Sequence, residues 1–196
     1  MGKLIRERKK QINEKIEFAN RLANAPTTRA AATKISLPGS FTMYQQETSY
    51  YCVPACVKSV LKYLTGKEYS QASIAKDLGT TTSGTQANRI APYLNEKQGN
   101  PRYHFFRSES PTLDEMCRYT YAVVYSAVPG LMSIYNPTGQ DWNYATYGHR
   151  LVINAVYSDK SKLQFADPLG QTEAGWPYFY EKACSTVHPY CRDVIW

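Results

Sequence analysis

The apolar residues of this 196-residue chain change their spacing near residue 100, and that change limits what the chain can fold into. Before it, apolar side chains recur every three or four positions, as on one face of a helix. After it they alternate, or run together in short stretches bounded by Gly, Pro, Asn and Asp, as strands do. Helices first and antiparallel strands after predict an α+β fold, with a helical lobe and a sheet lobe meeting at a cleft.

From Lys3 to Ala23, the residues Ile5, Ile12, Ile16, Ala19 and Leu22 share one face of an amphipathic helix. Ala25-Pro26-Thr27-Thr28 breaks it, and Arg29 to Gly39 reads as a polar linker. Residues 1–38 are thus expected to form a basic helix and linker, and residues 39–196 the domain proper. Phe41 to Gln45 leads extended into a turn, and a helix begins at Cys52 and stops at Gly66. Ser70 caps a short helix that ends at Leu78-Gly79, Thr80 to Thr85 is a loop, and a third helix spans Gln86 to Lys97. In the second half Arg102–Arg107 is a predicted strand and Pro111–Cys117 a short helix. Four more strands are predicted at Tyr121–Ser126, Leu131–Tyr135, His149–Tyr157 and Lys162–Ala166.

The formal charge of +7 raises the question of nucleic acid, but most of the surplus sits in residues 1–38, where nine cations face three acids. The rest is nearly neutral and lacks the basic, aromatic-interleaved stripe of a single-strand binder, so no nucleic-acid partner is expected. No apolar run approaches the roughly 20 residues of a membrane helix, and the N-terminus has no apolar core of a secretory signal. The expected location is the cytoplasm, or outside the cell if a signal has been removed. The five cysteines do not close a disulfide framework. Cys184 and Cys191 could bridge, though two free thiols is the plainer reading. No metal-ligand spacing follows Cys52 and Cys56, so neither metal nor cofactor is expected.

The chemistry gathers around Cys52. A thiol at the mouth of a helix meets unpaired N–H groups and the positive end of the dipole, which favour thiolate. Pro54 suits the first turn, because its missing N–H costs nothing there. Gln46, a short turn upstream, can set an amide N–H beside the Cys52 N–H as an oxyanion hole. A thiol nucleophile needs a base and something to orient it. Of the three histidines, His104 lies inside a predicted strand and His188 in a C-terminal loop, whereas His149 opens the most apolar strand, after Tyr147-Gly148. The return strand ends in Ala166-Asp167-Pro168. In an antiparallel hairpin the end of the second strand lies beside the start of the first, so His149 and Asp167 share one sheet edge. Each residue also has a plain alternative: Cys52 a small buried hydrophobe, Asp167 a turn starter, Gln46 a surface amide. Cys56 is the competing nucleophile, one turn inside the helix. Trp142 and the tyrosines of Asn136–Tyr147 are candidates for lining a groove, or for ordinary packing.

Gln46-x5-Cys52-x-Pro54-Ala55, Gly66, Ser70-Gln71, Leu78-Gly79-Thr80-Thr81, Gly148-His149-x-Leu151-Val152 and Ala166-Asp167-Pro168 together resemble a known family. They are similar to the papain-like bacteriocin-processing peptidases that cut after double-glycine leaders, and most of all to the free-standing, C39-like bacterial branch. The resemblance spans about Phe41 to Tyr180. It implies a papain-like two-lobed fold, a helical half packed on an antiparallel sheet, and cysteine peptidase activity on a peptide or protein, with leader processing as one form. It also implies Cys52 as nucleophile, His149 as base, Asp167 as orienter and Gln46 in the oxyanion hole. Val53 stands where the family usually has glycine, and the transporter and ATPase regions of the fused members are absent. An acyltransferase or ligase on the same thiol, and a silent peptide-binding module, are the alternatives. The N-terminal helix is left as a packing element, a docking element for a partner, a membrane-surface helix or a prosegment in the protein's own groove.

Overall fold

The computed structural model describes residues 2–25, 31–106, 111–138, 142–170 and 177–196. The predicted break at Pro26–Thr28, the linker start at Arg29 and the end of the first predicted strand at Arg107 lie outside those residues.

Helix α1 (Gly2–Asn24) is followed by strand β1 (Lys34–Ser36). Then come α2 (Cys52–Thr65), α3 (Gln71–Leu78) and α4 (Ile90–Gln98), α4 being preceded by a 3-10 turn at Ala87–Arg89. The second half holds β2 (Phe105–Phe106), α5 (Leu113–Tyr125), β3 (Gly130–Ile134), β4 (His149–Tyr157), β5 (Lys162–Ala166), β6 (Phe179–Ala183), the short α6 (Cys184–Val187) and β7 (Cys191–Ile195). The strands form one antiparallel sheet in the order β2-β7-β3-β4-β5-β6, and β1 pairs with the far end of β4. This is the expected α+β architecture, with α2, α3 and α4 gathered beside the sheet.

Local chemistry sets the helix limits. Ser70 Oγ accepts from Ser73 N at the start of α3, and Gly66 and Gly79 close α2 and α3 in the left-handed region, at φ 70° and 64°. Thr112 and Glu115 form a reciprocal capping box at the head of α5. That box starts a helix of 13 residues, which overrides the strand predicted at Tyr121–Ser126. Its buried residues Met116, Tyr119, Thr120, Val123 and Val124 recur at helical spacing. Within Arg29–Gly39, read as linker, Lys34–Ser36 instead pairs with Ala155–Tyr157. The strand predicted at Arg102–Arg107 shortens to Phe105–Phe106 among the described residues.

Strand β4 is buried along all but its last residue and carries β3 on one edge and β5 on the other. Helix α2 packs on β4, while α5 packs on β1, β3, β4 and β7. Gly130 lets α5 come close, since a Cβ there would stand 2.8 Å from Val123.

Helix α1 lies on α5. Ala19 is fully buried, Lys15 Nζ donates to Arg102 O at 2.6 Å and sits 4.6 Å from the Trp196 ring, and Lys160 Nζ donates to Ala23 O at 2.8 Å. Burial, with the Arg102 charge beside it, pulls the Lys15 ammonium down to about 7. Removing residues 1–24 is therefore expected to lower the unfolding midpoint in urea while leaving the turnover of the folded fraction unchanged. Turnover that rises on truncation, with the midpoint unmoved, would instead show that the helix covers the cleft.

Candidate active site

Helix α2 begins at Cys52 without a side-chain cap, since Tyr51 makes no such bond. Pro54 has no N–H to satisfy, so Cys52 and Val53 bring uncapped donors to the helix mouth. The loop before it is fixed from two sides. Gln46 N donates to Pro168 O at 2.9 Å, which ties it to the turn carrying Asp167. The buried amide of Gln71 brackets the same loop, donating to Gln45 O at 2.7 Å and accepting from Glu47 N at 3.1 Å.

The β4–β5 hairpin delivers His149 and Asp167 to one edge, and the rings and carboxylate meet as its register requires. His149 Nε2 stands 2.9 Å from Asp167 Oδ1, with both residues buried. This leaves Nδ1 for the sulfur of Cys52, which lines the same cleft, and each of the two groups supports the charge of the other. Asp167 is saturated. Oδ1 also accepts from Leu169 N at 2.8 Å, and Oδ2 accepts from Tyr144 Oη at 2.6 Å and Tyr180 Oη at 2.7 Å. The Tyr144 ring also stands edge-on to the imidazole, 5.6 Å between centroids.

These contacts set the protonation states. Burial works against each charge, and the pairing outweighs it. For Asp167, burial is overcome by the bond from His149 and its charge, then by Tyr144 and Leu169, so its carboxyl titrates below the usual range. For His149, burial is overcome by Asp167 and then Cys52, so the imidazolium persists to about 9. For Cys52, burial is overcome by the His149 bond and charge, then by the Arg150 backbone N–H and guanidinium, and the thiol titrates below its ordinary value. The three groups thus favour a thiolate–imidazolium pair anchored on a carboxylate.

Cys56 is fully buried, and its Sγ donates to Arg150 O at 3.3 Å. Burial, then the Cys52 charge, holds it protonated well above the usual thiol range. The competing nucleophile is sealed in packing. His104 is tied through its backbone to Trp196, and burial drops its ring to about 4; His188 Nε2 donates to Pro111 O at 2.8 Å. Neither reaches the sulfur. Gln46 Nε2 donates one hydrogen to Thr48 O at 2.8 Å and retains a second, while its Oε1 is buried without a partner. All five cysteines are free, and Cys184 neighbours Cys117 rather than Cys191.

Cys52 and His149 open on a cleft of about 1100 Å³. Its other walls are the loop at Ser83–Asn88, Phe105, the β3 end at Ser133–Tyr135, and Arg150, Arg192 and Asp193. Trp142 is not among them: it is 2 % exposed and packs on Phe165 and Tyr180. The groove candidates of the Asn136–Tyr147 loop are thus replaced by the Ser83–Asn88 loop. Tyr180 and Asp193 went unremarked in the sequence because their partners lie on strands remote in the chain. Among the described residues no three His, Cys, Asp or Glu side chains stand together as metal ligands, and no helix is long and apolar enough to cross a membrane.

Comparison with known proteins bears on the family and the fold. The profile of the Peptidase_C39 like family matches residues 39–187. The chain belongs to that family. Among solved structures, this C39-like chain is similar to the peptidase domain of Streptococcus ComA, a bi-functional ABC transporter involved in a quorum-sensing pathway. The match has a TM-score of 0.54 at 17 % identity and covers 80 % of this chain and 97 % of that domain, which establishes a shared papain-like fold. No curated protein matches the chain.

Proposed function

We propose that the chain is an active cysteine peptidase that hydrolyses a peptide bond through a thioester on Cys52. The observation that carries this is the His149–Asp167 pair standing with Cys52 on a cleft of about 1100 Å³. In the first half-reaction the Cys52 thiolate adds to the scissile carbonyl carbon, and the C–S bond forms. The Cys52 N–H and the second N–H of Gln46 bind the oxyanion. His149 Nδ1–H protonates the leaving amine as the C–N bond breaks. Water, losing its proton to His149, then cleaves the thioester and restores the thiol pair. Asp167 holds the ring angle and stabilises the imidazolium throughout.

The test is digestion of a peptide library followed by mass spectrometry, with and without an added primary amine. New acid C-termini in both samples support hydrolysis. Transfer of the acyl group to the amine in place of water supports the acyltransferase reading. Products ending in paired glycines would extend the proposal to leader processing, and no products at all would overturn it.

The pH response follows from the two shifts. Cys52 is lowered and His149 is raised, so the reactive pair is populated between them. Cleavage is expected to stay on a plateau through neutral pH and to fall as pH rises through about 9, where the imidazolium loses its proton. Alkylation of Cys52 by iodoacetamide is expected to persist at mildly acidic pH, whereas a free thiol of pKa about 8.5 slows tenfold per unit there. Alkylation that follows the free-thiol curve would show that the pair is not formed.

A further inference from the structure

Away from His149, the cleft floor crosses three strands. The registers Ser133↔Arg150 and Ser133↔Asp193 set these three residues in a row on β4, β3 and β7. Asp193 is consumed within that row. Both terminal nitrogens of the Arg150 guanidinium donate to it, Nη2 to Oδ2 at 3.2 Å, and Ser133 Oγ donates to Oδ2 at 2.5 Å. Arg150 and Asp193 are 4 % and 6 % exposed, so this is a buried, mutually neutralised pair. The pairing leaves a remainder. The Nε of Arg150 is buried with no partner.

At the rim stands Arg192, exposed, its guanidinium 5.3 Å from the centre of the Tyr135 ring. Its neighbour in sequence, Asp193, is the only acid among the described residues lining the cleft, and Arg150 already holds it. Among the described residues lining the cleft, no acid is left to cancel the Arg192 charge at its mouth.

We infer that this end of the cleft is a subsite for a substrate carboxylate. Arg192 supplies the charge, and Tyr135 stands against its guanidinium and holds it at the cleft mouth. A planar guanidinium offers two parallel N–H bonds to such a group, which an ammonium does not. The inference rests on the cleft being the peptide groove, as proposed above. The carboxylate is either an Asp or Glu side chain or the C-terminus of a short peptide.

The experiment measures binding to the full chain carrying Cys52→Ala, so that nothing is cleaved, by fluorescence anisotropy. The probes are labelled eight-residue peptides of Gly, Ala and Ser with one Glu, Gln or Lys moved through each position. Each is made as a free acid and as a C-terminal amide. Glu over Gln by about tenfold at one position is expected, the scale of a charge-assisted bond. Adding Arg192→Glu, a surface change, is expected to reverse the preference to Lys. An acid-over-amide difference that ignores the position of Glu assigns the subsite to the chain terminus. Equal binding of all peptides, or a preference that Arg192→Glu leaves intact, overturns the inference. The same peptides given to the wild-type chain keep the two readings apart. Cleavage without acid preference removes the subsite alone, and acid-selective binding without cleavage removes the peptidase reading alone.

Discussion

Cys52→Ala is expected to abolish peptide cleavage, with a fall in kcat on the order of 10⁶, the scale seen when the nucleophile of a triad is lost. The fold should survive, because Cys52 is only half-buried and alanine is a good first-turn residue. Cys56→Ala is the control one turn away. It deletes a buried sulfur and its bond to Arg150 O, so it is expected to cost about 1 kcal/mol of stability and little activity. The two variants therefore separate by several orders of magnitude in rate although their positions differ by four residues. The physical reason is what each sulfur faces. Cys52 has the His149 charge beside it and favours the thiolate, while Cys56 is fully buried and gives its proton to Arg150 O, which favours the thiol. If Cys56→Ala were the inactive variant, the nucleophile would lie one turn deeper and the cleft would need a different floor.

Asp167→Ala is expected to be the most damaging change outside the nucleophile, with kcat lowered by about 10⁴. It frees the imidazole, and it also strands four donors that now converge on one carboxylate: His149 Nε2, Leu169 N, Tyr144 Oη and Tyr180 Oη. Leaving buried donors unpaired costs about 1–3 kcal/mol each before relaxation, so a stability loss of several kcal/mol accompanies the loss of rate. Asp167→Asn is expected to behave differently. The Leu169 N–H is fixed backbone and demands an acceptor, so the amide oxygen turns toward Leu169 and His149. The amide nitrogen then faces two tyrosine hydroxyls, which rotate to accept. Orientation survives and charge does not. The rate falls by less than in Asp167→Ala, and the alkaline limb of cleavage moves to a pH below about 9 as the imidazolium loses its counter-charge. Equal rates in the two variants, measured on folded protein, would show that charge rather than orientation is what Asp167 supplies.

The meeting of His149 and Asp167 was legible in the sequence because it depends on one hairpin. The apolar run in His149–Tyr157 and the alternation in Lys162–Ala166, with a turn at Ser158-Asp159-Lys160, fix which ends meet without any knowledge of the rest of the sheet. The limits of α2 and α3 were legible for a similar reason, since Ser70, Gly66 and Gly79 act on their own turns. What failed was chemistry settled at long range. Tyr121–Ser126 is rich in β-forming side chains, yet the capping box nine residues upstream and the sheet beneath carry it as helix. Three residues of β1 are too few to show a period. Strand β7 is hard to see because it sets two charges, Arg192 and Asp193, side by side, and Asp193 is buried only because Arg150, 43 residues away, neutralises it. Tyr180 likewise gains its role from Asp167 across the β5–β6 pairing.

The central claim is that Cys52 carries the acyl group in a reaction driven by the His149–Asp167 pair. Acid-quenching the wild-type chain during digestion of a peptide library, then mapping adducts by mass spectrometry, reads that claim directly. A peptide-derived acyl mass on Cys52, absent when the quenched sample is first treated with hydroxylamine to cleave thioesters, is the predicted result. Products accumulating while Cys52 stays unmodified throughout, or an acyl mass on Cys56 instead, would contradict it.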